Sequence, residues 1–377
     1  MANEQSIIIY GADDVGKAML SICSNVIGFV DYNPDLTGTK IEGIPVYPPS
    51  ELKKFKDAHF IISVINIRAV VETLQAQGIY NWTAGGSLLY EYDITQLANR
   101  IDDIRYQIES CILSHRAFLK KDYVFLNSLD VVITERCSLR CRDCSNLMPY
   151  FKSPKNYKVA EILKDVDNLL QYTDEIMEAR IIGGDPLMHP QWLEFVKGVL
   201  QSSKIKRVLI YTNGLIKPSL LDLPTLAHKK VIIIMTDYKK LSKNLNTIIE
   251  LFENTNVKYK IVELNKWIDC ASIYKHNRTP QQNDSLFVKC VSTNLLTLSK
   301  GKLFRCPYAA SAFQLKAVRD VPRDYVNVKY LKDKKTLHNY VIGKRSMSVC
   351  DYCISRQLEN EIPPAIQTKV ILPYEVI

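Results

Sequence analysis

The stretch Thr134-Glu-Arg-Cys137-Ser-Leu-Arg-Cys141-Arg-Asp-Cys144 places three cysteines within eight residues, directly after the apolar run Leu129-Asp-Val-Val-Ile-Thr134. The run reads as a β-strand and the cysteines as the loop that leaves its end. Three thiolates so close together can hold an iron–sulfur cube by three of its four irons, which leaves the fourth iron open to a small chelating ligand. Structural zinc instead takes four protein ligands, usually as two pairs. Here the local count stops at three, and the nearest histidines, His115 and His189, form no ligand pair. Chance clustering of cysteines that are simply buried small hydrophobes is the remaining alternative.

Outward from this loop, the 377-residue chain is long enough for two or three domains. Its 47% hydrophobic and 24% charged content is that of an ordinary globular protein. No apolar run reaches 18 residues and the amino terminus lacks the basic and apolar regions of an export signal, so a cytoplasmic protein is expected. Ten cysteines in such a chain read as metal ligands before disulfides. The formal charge of +9 is dispersed, with small knots at 152–158, 204–207 and 329–335. That pattern suits a solvated surface or attraction to an anionic substrate. With no basic stripe interleaved with aromatics, nucleic-acid binding is not expected.

Residues 1–92 read as alternating strands and helices. Ser6–Tyr10 is a strand, Gly11-Ala-Asp-Asp-Val-Gly16 a turn, Val26–Asp31 a second strand and Ala58–Val64 a third. This is the βαβ order of a parallel nucleotide-binding sheet. The run Gly28-Phe-Val-Asp-Tyr-Asn-Pro34, followed by Gly43-Ile-Pro-Val-Tyr47, resembles the small Rossmann-like domains found beside sugar-modifying enzymes. Asp13 stands where the dinucleotide fingerprint has its middle glycine and would repel a pyrophosphate, while Asp31 could take a ribose hydroxyl pair. A scaffold or subunit-contact role is the alternative. Residues 93–122 read as a linker helix whose seam is Ile94, Leu97, Ile101, Ile104, Ile108 and Cys111, packing across the domains it joins or forming a homodimer contact.

Strand and helix patterns repeat over 123–285, with strands ending near Thr134, Ile182, Tyr211, Met235 and Glu263. The expected fold is therefore α/β, a partial (β/α)6 TIM-like barrel with its loops on one rim. The C-x3-C-x2-C loop, Gly183-Gly184-Asp185-Pro186, Tyr211-Thr212-Asn213-Gly214 and Met235-Thr236-Asp237-Tyr238 follow successive strands, and in this order they resemble the radical S-adenosylmethionine (SAM) superfamily. The resemblance implies that Cys137, Cys141 and Cys144 hold a [4Fe–4S] cluster whose open iron binds SAM. Reductive cleavage there makes a 5′-deoxyadenosyl radical that takes a hydrogen atom from a substrate, with electrons from a donor such as flavodoxin or ferredoxin. It further implies that Gly183, Gly184, Asp185, Thr212, Asn213 and Thr236 seat SAM. Asp185 replaces the family's usual glutamate, and Asp143 stands where an aromatic residue commonly precedes the third cysteine. Asp237 or Tyr238 is expected on the substrate side.

Over 286–377, two short strands around Lys300-Gly301 would bring Cys290 and Cys306 together, and Cys350-Asp-Tyr-Cys353 adds a close pair. This arrangement resembles the twitch form of the auxiliary-cluster (SPASM-like) domain, which implies a second [4Fe–4S] cluster. A tetrahedral zinc site fits four cysteines equally well by count. If all four ligate, the second cluster has no iron for substrate and suits electron transfer. Cys23 and Cys111 read as packing residues, while Cys270, near a strand end, could reach the active site. Together these features point to a radical enzyme oxidising or epimerising a small-molecule substrate, namely a carbohydrate, cyclitol or nucleotide-linked sugar, in glycan or secondary-metabolite biosynthesis. A peptide-modifying radical enzyme and a non-catalytic iron–sulfur or zinc protein are the alternatives.

Overall fold

Short, nearly continuous apolar runs make strands that need cover on both faces. The computed structural model describes residues 5–91, 102–293, 295–357 and 360–374. Its chain divides into two units, Met1–Phe125 and Leu126–Ile377. In the first, β1 (Ile7–Tyr10), β2 (Val26–Val30), β3 (Lys40–Ile41), β4 (Ile44–Tyr47), β5 (His59–Ile62) and β6 (Trp82–Ala84) form one sheet in the order β3-β4-β2-β1-β5-β6. Pairing is parallel except within the β3–β4 hairpin. The helices are α1 (Asp14–Met19), α2 (Ile67–Ala76), α3 (Gly85–Glu91) and α4 (Asp102–Leu119). Ile8, Tyr10, Val30, Phe60 and Ile62 pack with Ile67, Val70, Val71 and Leu74 of α2 on one face. Ile9, Phe29 and Ile61 pack with Val15, Ala18 and Met19 of α1 on the other, together with Ile108, Cys111 and Ile112 of α4.

The helix read as a linker therefore contributes to the first unit, and the division falls after Phe125 instead of residue 92, because the Ile104-Ile108-Cys111 seam is spent on this core. Ile94, Leu97 and Ile101 of that seam lie outside the described residues. Cys111 is fully buried, its Sγ 3.4 Å from Nε2 of His115. Gly86 N–H donates to His115 Nδ1 and His115 Nε2 donates to the Val64 carbonyl, so the ring is neutral, and burial pushes its pKa down to about 4.

At the first strand-to-helix turn, a Cβ on Gly16 would lie 2.0 Å from the Gly11 carbonyl oxygen, so this glycine is required for helix and strand to touch. The Asp13 carboxylate caps α1, accepting from the N–H groups of Val15 and Gly16 at 3.0 Å each. Asp31, expected to face a ribose, accepts instead from Ala12 N–H at 2.7 Å and Asn33 N–H at 2.8 Å. Protein carboxylates thus engage donors around this turn.

In the second unit the strands are β7 (Phe125–Thr134), β8 (Glu175–Gly183), β9 (Ile205–Thr212), β10 (Val231–Asp237), β11 (Tyr259–Glu263), β12 (Trp267–Ile268), β13 (Leu296–Ser299), β14 (Lys302–Phe304), β15 (Val326–Asn327) and β16 (Glu361–Ile362). The helices are α5 (Val159–Gln171), α6 (Trp192–Leu200), α7 (Leu223–Leu226), α8 (Leu245–Glu253), α9 (Pro280–Lys289), α10 (Pro307–Gln314) and α11 (Lys334–Ile342). The main sheet runs β11-β10-β9-β8-β7-β13-β14-β15, with β8 to β11 parallel in succession and β13 parallel to β7. The fold is mixed α/β with parallel sheets. The β13–β14 hairpin turns at Lys300 and Gly301, both at positive φ. It extends the main sheet instead of standing in a separate domain: its buried Leu296 and Leu298 cover the edge of β7. Among the described residues no helix is long and apolar enough to cross a membrane.

Substituting Gly16→Ala should lower stability by about 1–3 kcal/mol through overpacking against the Gly11 backbone. Urea unfolding should read this as a lower midpoint in the transition that reports on the first unit; an unchanged midpoint would mean that the turn relaxes freely.

Candidate radical and auxiliary cluster sites

The three-cysteine loop is shaped by the turn that follows β8. Gly184 N–H donates to the Thr134 carbonyl at 3.0 Å and Asp185 N–H to the Arg136 carbonyl at 2.8 Å. A Cβ on Gly183 would meet the Thr134 oxygen at 2.2 Å, and one on Gly184 would meet the Arg136 oxygen at 2.2 Å and Cys137 Cβ at 2.8 Å. The paired glycines therefore let one backbone lie directly on the root of the loop. Cys137, Cys141 and Cys144 are free thiols. Burial raises the pKa of Cys137 and Cys141; the Asp185 carboxylate and then the neighbouring thiols add to the rise at Cys137, and Cys144 and Asp143 add to it at Cys141. Around the Cys144 sulfur the N–H groups of Asn146, Leu147 and Met148 converge. To form this nest Leu147 takes a left-handed conformation at φ +58° although fully buried, a strain of the kind found at ligand-holding sites. A cradle that a Cβ would fill, three free thiols and N–H groups aimed at sulfur fit a cluster held by thiolates.

Asp185 is buried, and its carboxylate is engaged within the protein. Oδ1 accepts from Leu187 N–H at 3.0 Å, and Oδ2 from the Thr212 hydroxyl at 2.9 Å and Asn213 N–H at 3.2 Å. Burial raises its pKa and these bonds oppose the rise. Asp185 and Thr212 thus lock the ends of β8 and β9 together. Asn213 Nδ2 reaches Ser138 Oγ at 2.9 Å and Cys137 Sγ at 3.8 Å, so it touches the cysteine loop itself. Thr236 lies at the end of β10, where its carbonyl accepts from Ser242 Oγ. Ser242, not singled out in the sequence, also donates to the Asn213 carbonyl at 2.7 Å and accepts from Tyr238 N–H at 2.9 Å. Of the two residues expected on the substrate side, Tyr238 packs edge-on against Trp267 and feels the charges of Cys141, Cys144 and Cys137. Asp237 pairs with Lys239 at 2.9 Å, which holds its carboxyl below the usual range.

Cys290, Cys306, Cys350 and Cys353 line a single cavity among Phe287, Tyr308, Met347 and Val349. Each arrives from a local device. Cys290 ends α9, and Cys306 caps α10, its sulfur accepting from Ala309 N–H at 3.4 Å. Arg278 clamps the C-x-x-C turn by donating to the carbonyls of Cys350 and Cys353 at 3.1 and 2.9 Å. Burial pushes the Cys350 thiol up to about 12. Cys270 is buried, its carbonyl against the Cys353 sulfur, and burial pushes its own thiol up to about 11. In their present positions no three His, Cys, Asp or Glu side chains among the described residues converge to hold a metal ion.

One charged group escaped the sequence reading altogether. Glu178 and Arg180 lie two apart on β8, and Leu209 of β9, opposite Arg180, shares its face with Tyr211. Arg180 donates to Glu178 at 2.7 Å. Asp130 on β7 is buried in the field of Arg180, Glu178 and Arg356, and burial pushes its pKa up to about 7. Among the described residues the Asp130 carboxylate accepts no hydrogen bond, and the buried Arg356 Nε has no partner. Arg356 also opposes the rise that burial imposes on the Cys144 and Cys270 thiols, so its charge is felt at both of these sulfurs. A lone Asp inside an apolar strand was the available signal.

Gly184→Ala should push the Arg136 carbonyl away and dislodge Cys137, so that iron bound after anaerobic reconstitution falls by about half while the second site keeps its share; retention of all iron would refute this role of the glycine. Because burial raises Cys141 to about 11 and Cys350 to about 12, the metal-free thiols are protonated at neutral pH. Iron uptake must then release protons, and the fraction loaded at limiting iron should rise from about pH 7 to about pH 9.

Residues 131–248 match the model of the radical SAM superfamily. Relatives named GTP 3′,8-cyclase include those of Limosilactobacillus fermentum, 32% identical over 25% of this chain and 27% of the relative, and of Lactiplantibacillus plantarum, 33% identical over the same shares. The Synechocystis protein of that name is 28% identical over 33% of this chain and 37% of its own. The chain thus spans 27 to 37% of the length of these relatives. Similar solved structures include BtrN in complex with AdoMet and 2-DOIA, at 15% identity and a TM-score of 0.39 over 66% of this chain and 97% of that one. Another is Streptococcus suis SuiB bound to S-adenosylmethionine, at 13% identity and 0.32 over 52% and 44%. The matched segment holds the three-cysteine loop and the strand ends laid against it, and it is similar to the radical SAM superfamily, whose members use a [4Fe–4S] cluster and SAM.

Proposed function

We propose that the chain is a radical SAM enzyme that oxidises a secondary alcohol, or inverts its carbon, in a carbohydrate, cyclitol or nucleotide-linked sugar. The observation that carries this reading is the Asp130 carboxylate, without a hydrogen bond among the described residues and buried beside Arg180 and Arg356 on a face that also holds Glu178 and Tyr211. Burial disfavours the charged form of this carboxyl, and a carboxyl without a hydrogen bond has both oxygens available to a ligand. Alternating carboxylates and guanidinium groups suit hydroxyls, which donate to the former and accept from the latter. We read the main sheet as a partial barrel with this face inward, SAM seated by the glycine turn, Asn213 and Thr236, and a second cluster held by Cys290, Cys306, Cys350 and Cys353. When bound, SAM and the clusters would supply a hydrogen-atom acceptor and an outlet for the remaining electron. Asp130 would take the hydroxyl proton at its carboxylate, Arg356 would orient the oxygen, and Tyr238 would close the site toward the cysteine loop. The relatives named for a GTP reaction lend support to a nucleotide-linked substrate.

The test is anaerobic: reconstitute the chain, count iron, reduce it, and supply SAM with a panel of nucleotide sugars deuterated at the ring carbons. About eight irons per chain, deuterium in 5′-deoxyadenosine and a ketone or epimer as product are expected. Turnover on peptides alone would replace this reading with the peptide-modifying one. Substituting Asp130→Asn should abolish ketone formation while leaving 5′-deoxyadenosine release, and product formation by the parent should rise with pH through about 7 as Asp130 ionises.

Stability should run the opposite way. The folded state holds the Asp130 proton more tightly than the unfolded chain does, so its contribution is complete below the ordinary carboxylate range and lost as pH rises through about 7. At pH 8 the Asp130→Asn variant, whose amide carries no charge at any pH, should be more stable than the parent by thermal unfolding; a less stable variant would make Asp130 a structural residue.

A further inference from the structure

The chain's last described segment lies on the cysteine loop. Gln367 forms an antiparallel bridge with Cys141; Arg142 N–H donates to the Ile366 carbonyl at 2.7 Å and Thr368 N–H to the Arg140 carbonyl at 2.8 Å. The segment is anchored on both sides. Before it, β16 pairs with β12, and Ala365 turns the chain at φ +54°. Beyond it, Leu372 N–H donates to the Pro149 carbonyl at 3.1 Å, and Tyr374 packs edge-on against Tyr150 and donates to the Leu315 carbonyl at 2.8 Å.

Between these anchors the Gln367 amide has one orientation. Arg140 N–H can only donate, so the atom 2.8 Å from it must be the amide oxygen. The Ala365 carbonyl can only accept, so the atom 2.8 Å from it must be Nε2. One N–H of Nε2 is then spent on Ala365, and the other points at the Cys141 sulfur, 3.2 Å away. Every polar atom of this side chain has a partner, and one of those partners is the sulfur of Cys141, a cluster ligand under the proposed function, on which this inference rests.

We propose that Gln367 is a positioning residue that sets the reduction potential of the SAM-cleaving cluster through its N–H···S bond to Cys141, and that the tail 365–374 is the strap holding it there. An N–H donor on a ligand sulfur favours the more electron-rich, reduced cluster, which raises its potential. The strap thereby links the cysteine loop to the segment that follows Cys350 and Cys353.

The test reads potential, which a merely structural contact would not move. The parent, Gln367→Met, Gln367→Glu and Gln367→Lys are reconstituted anaerobically and titrated by EPR, following the reduced signal that SAM perturbs, which separates the open-iron cluster from a fully ligated one. Removing the donor in Q367M should lower the potential by about tenfold in the reduction equilibrium, which is about 59 mV for one electron. Q367E, with an acceptor against the sulfur, should fall further, and Q367K should lie at or above the parent. Should Q367M fail to hold iron, the ordering of Q367E and Q367K about the parent still decides. Potentials that coincide across the series would overturn the inference and leave the family assignment standing. A parent protein with no SAM-perturbed signal would overturn both.

Discussion

Ionising a thiol inside an apolar core is unfavourable unless a cation takes up the charge, and this constraint organises the second unit. Cys137, Cys144, Cys306, Cys350 and Cys353 all pack against one core built from the Leu147–Phe151 segment, Phe304, α10, Met347 and Val349. Burial is the largest cause of the raised pKa at each of these five. A core that keeps sulfur protonated when empty is one that ionises it when metal arrives. The local hydrogen bonds are consistent with this: the N–H nest at Cys144, the helix cap at Cys306 and the Arg278 clamp on the C-x-x-C turn all present donors or rigidity where thiolate charge would form.

From that core the rest of the site follows as a set of close backbone approaches. The Gly183-Gly184 turn is sewn to Thr134 and Arg136, Asp185 sews that turn to Thr212 and Asn213, and Ser242 sews Asn213 to Thr236 and Tyr238. The strand ends are thus held in register by side chains that are themselves engaged within the protein. Asp185 reaches the neighbouring strand end, where its carboxylate is engaged by Thr212 and Asn213.

Asp130, Arg356 and Gln367 stand apart from this framework: Arg356 donates to Ser292 Oγ but leaves its buried Nε without a partner, and Gln367 turns an N–H toward sulfur. Asp130 and Arg356 feel each other's charge without a hydrogen bond between them, and Arg356 also acts on the Cys144 and Cys270 thiols, while every polar atom of the Gln367 side chain is paired and one N–H is directed at Cys141. Two of the three follow the C-x-x-C pair, so the carboxy-terminal segment supplies groups to the cysteine loop as well as to its own cavity.

Read by itself, the chain carried everything whose signal is local. The cysteine spacing, the glycine pair at the end of β8, the period-two and period-3.6 patterns and the hairpin at Lys300-Gly301 each depend on neighbours a few residues apart, and they pointed to the parallel strands and the hairpin that the fold contains. Contacts between distant residues lay beyond such signals. The pairing of β13 with β7, the laying of α4 on the first unit's core and the bridge from Gln367 to Cys141 join segments whose sequences do not name their partners. Whether a carboxylate is spent or free is decided in the same way. Asp185, Asp31 and Asp130 are one residue type in or beside strands, and only the fold determines that the first two are engaged by protein donors and the third is left with no hydrogen bond among the described residues. A hydrogen bond needs a partner within about 3 Å, and that distance is set by the packing of the whole unit.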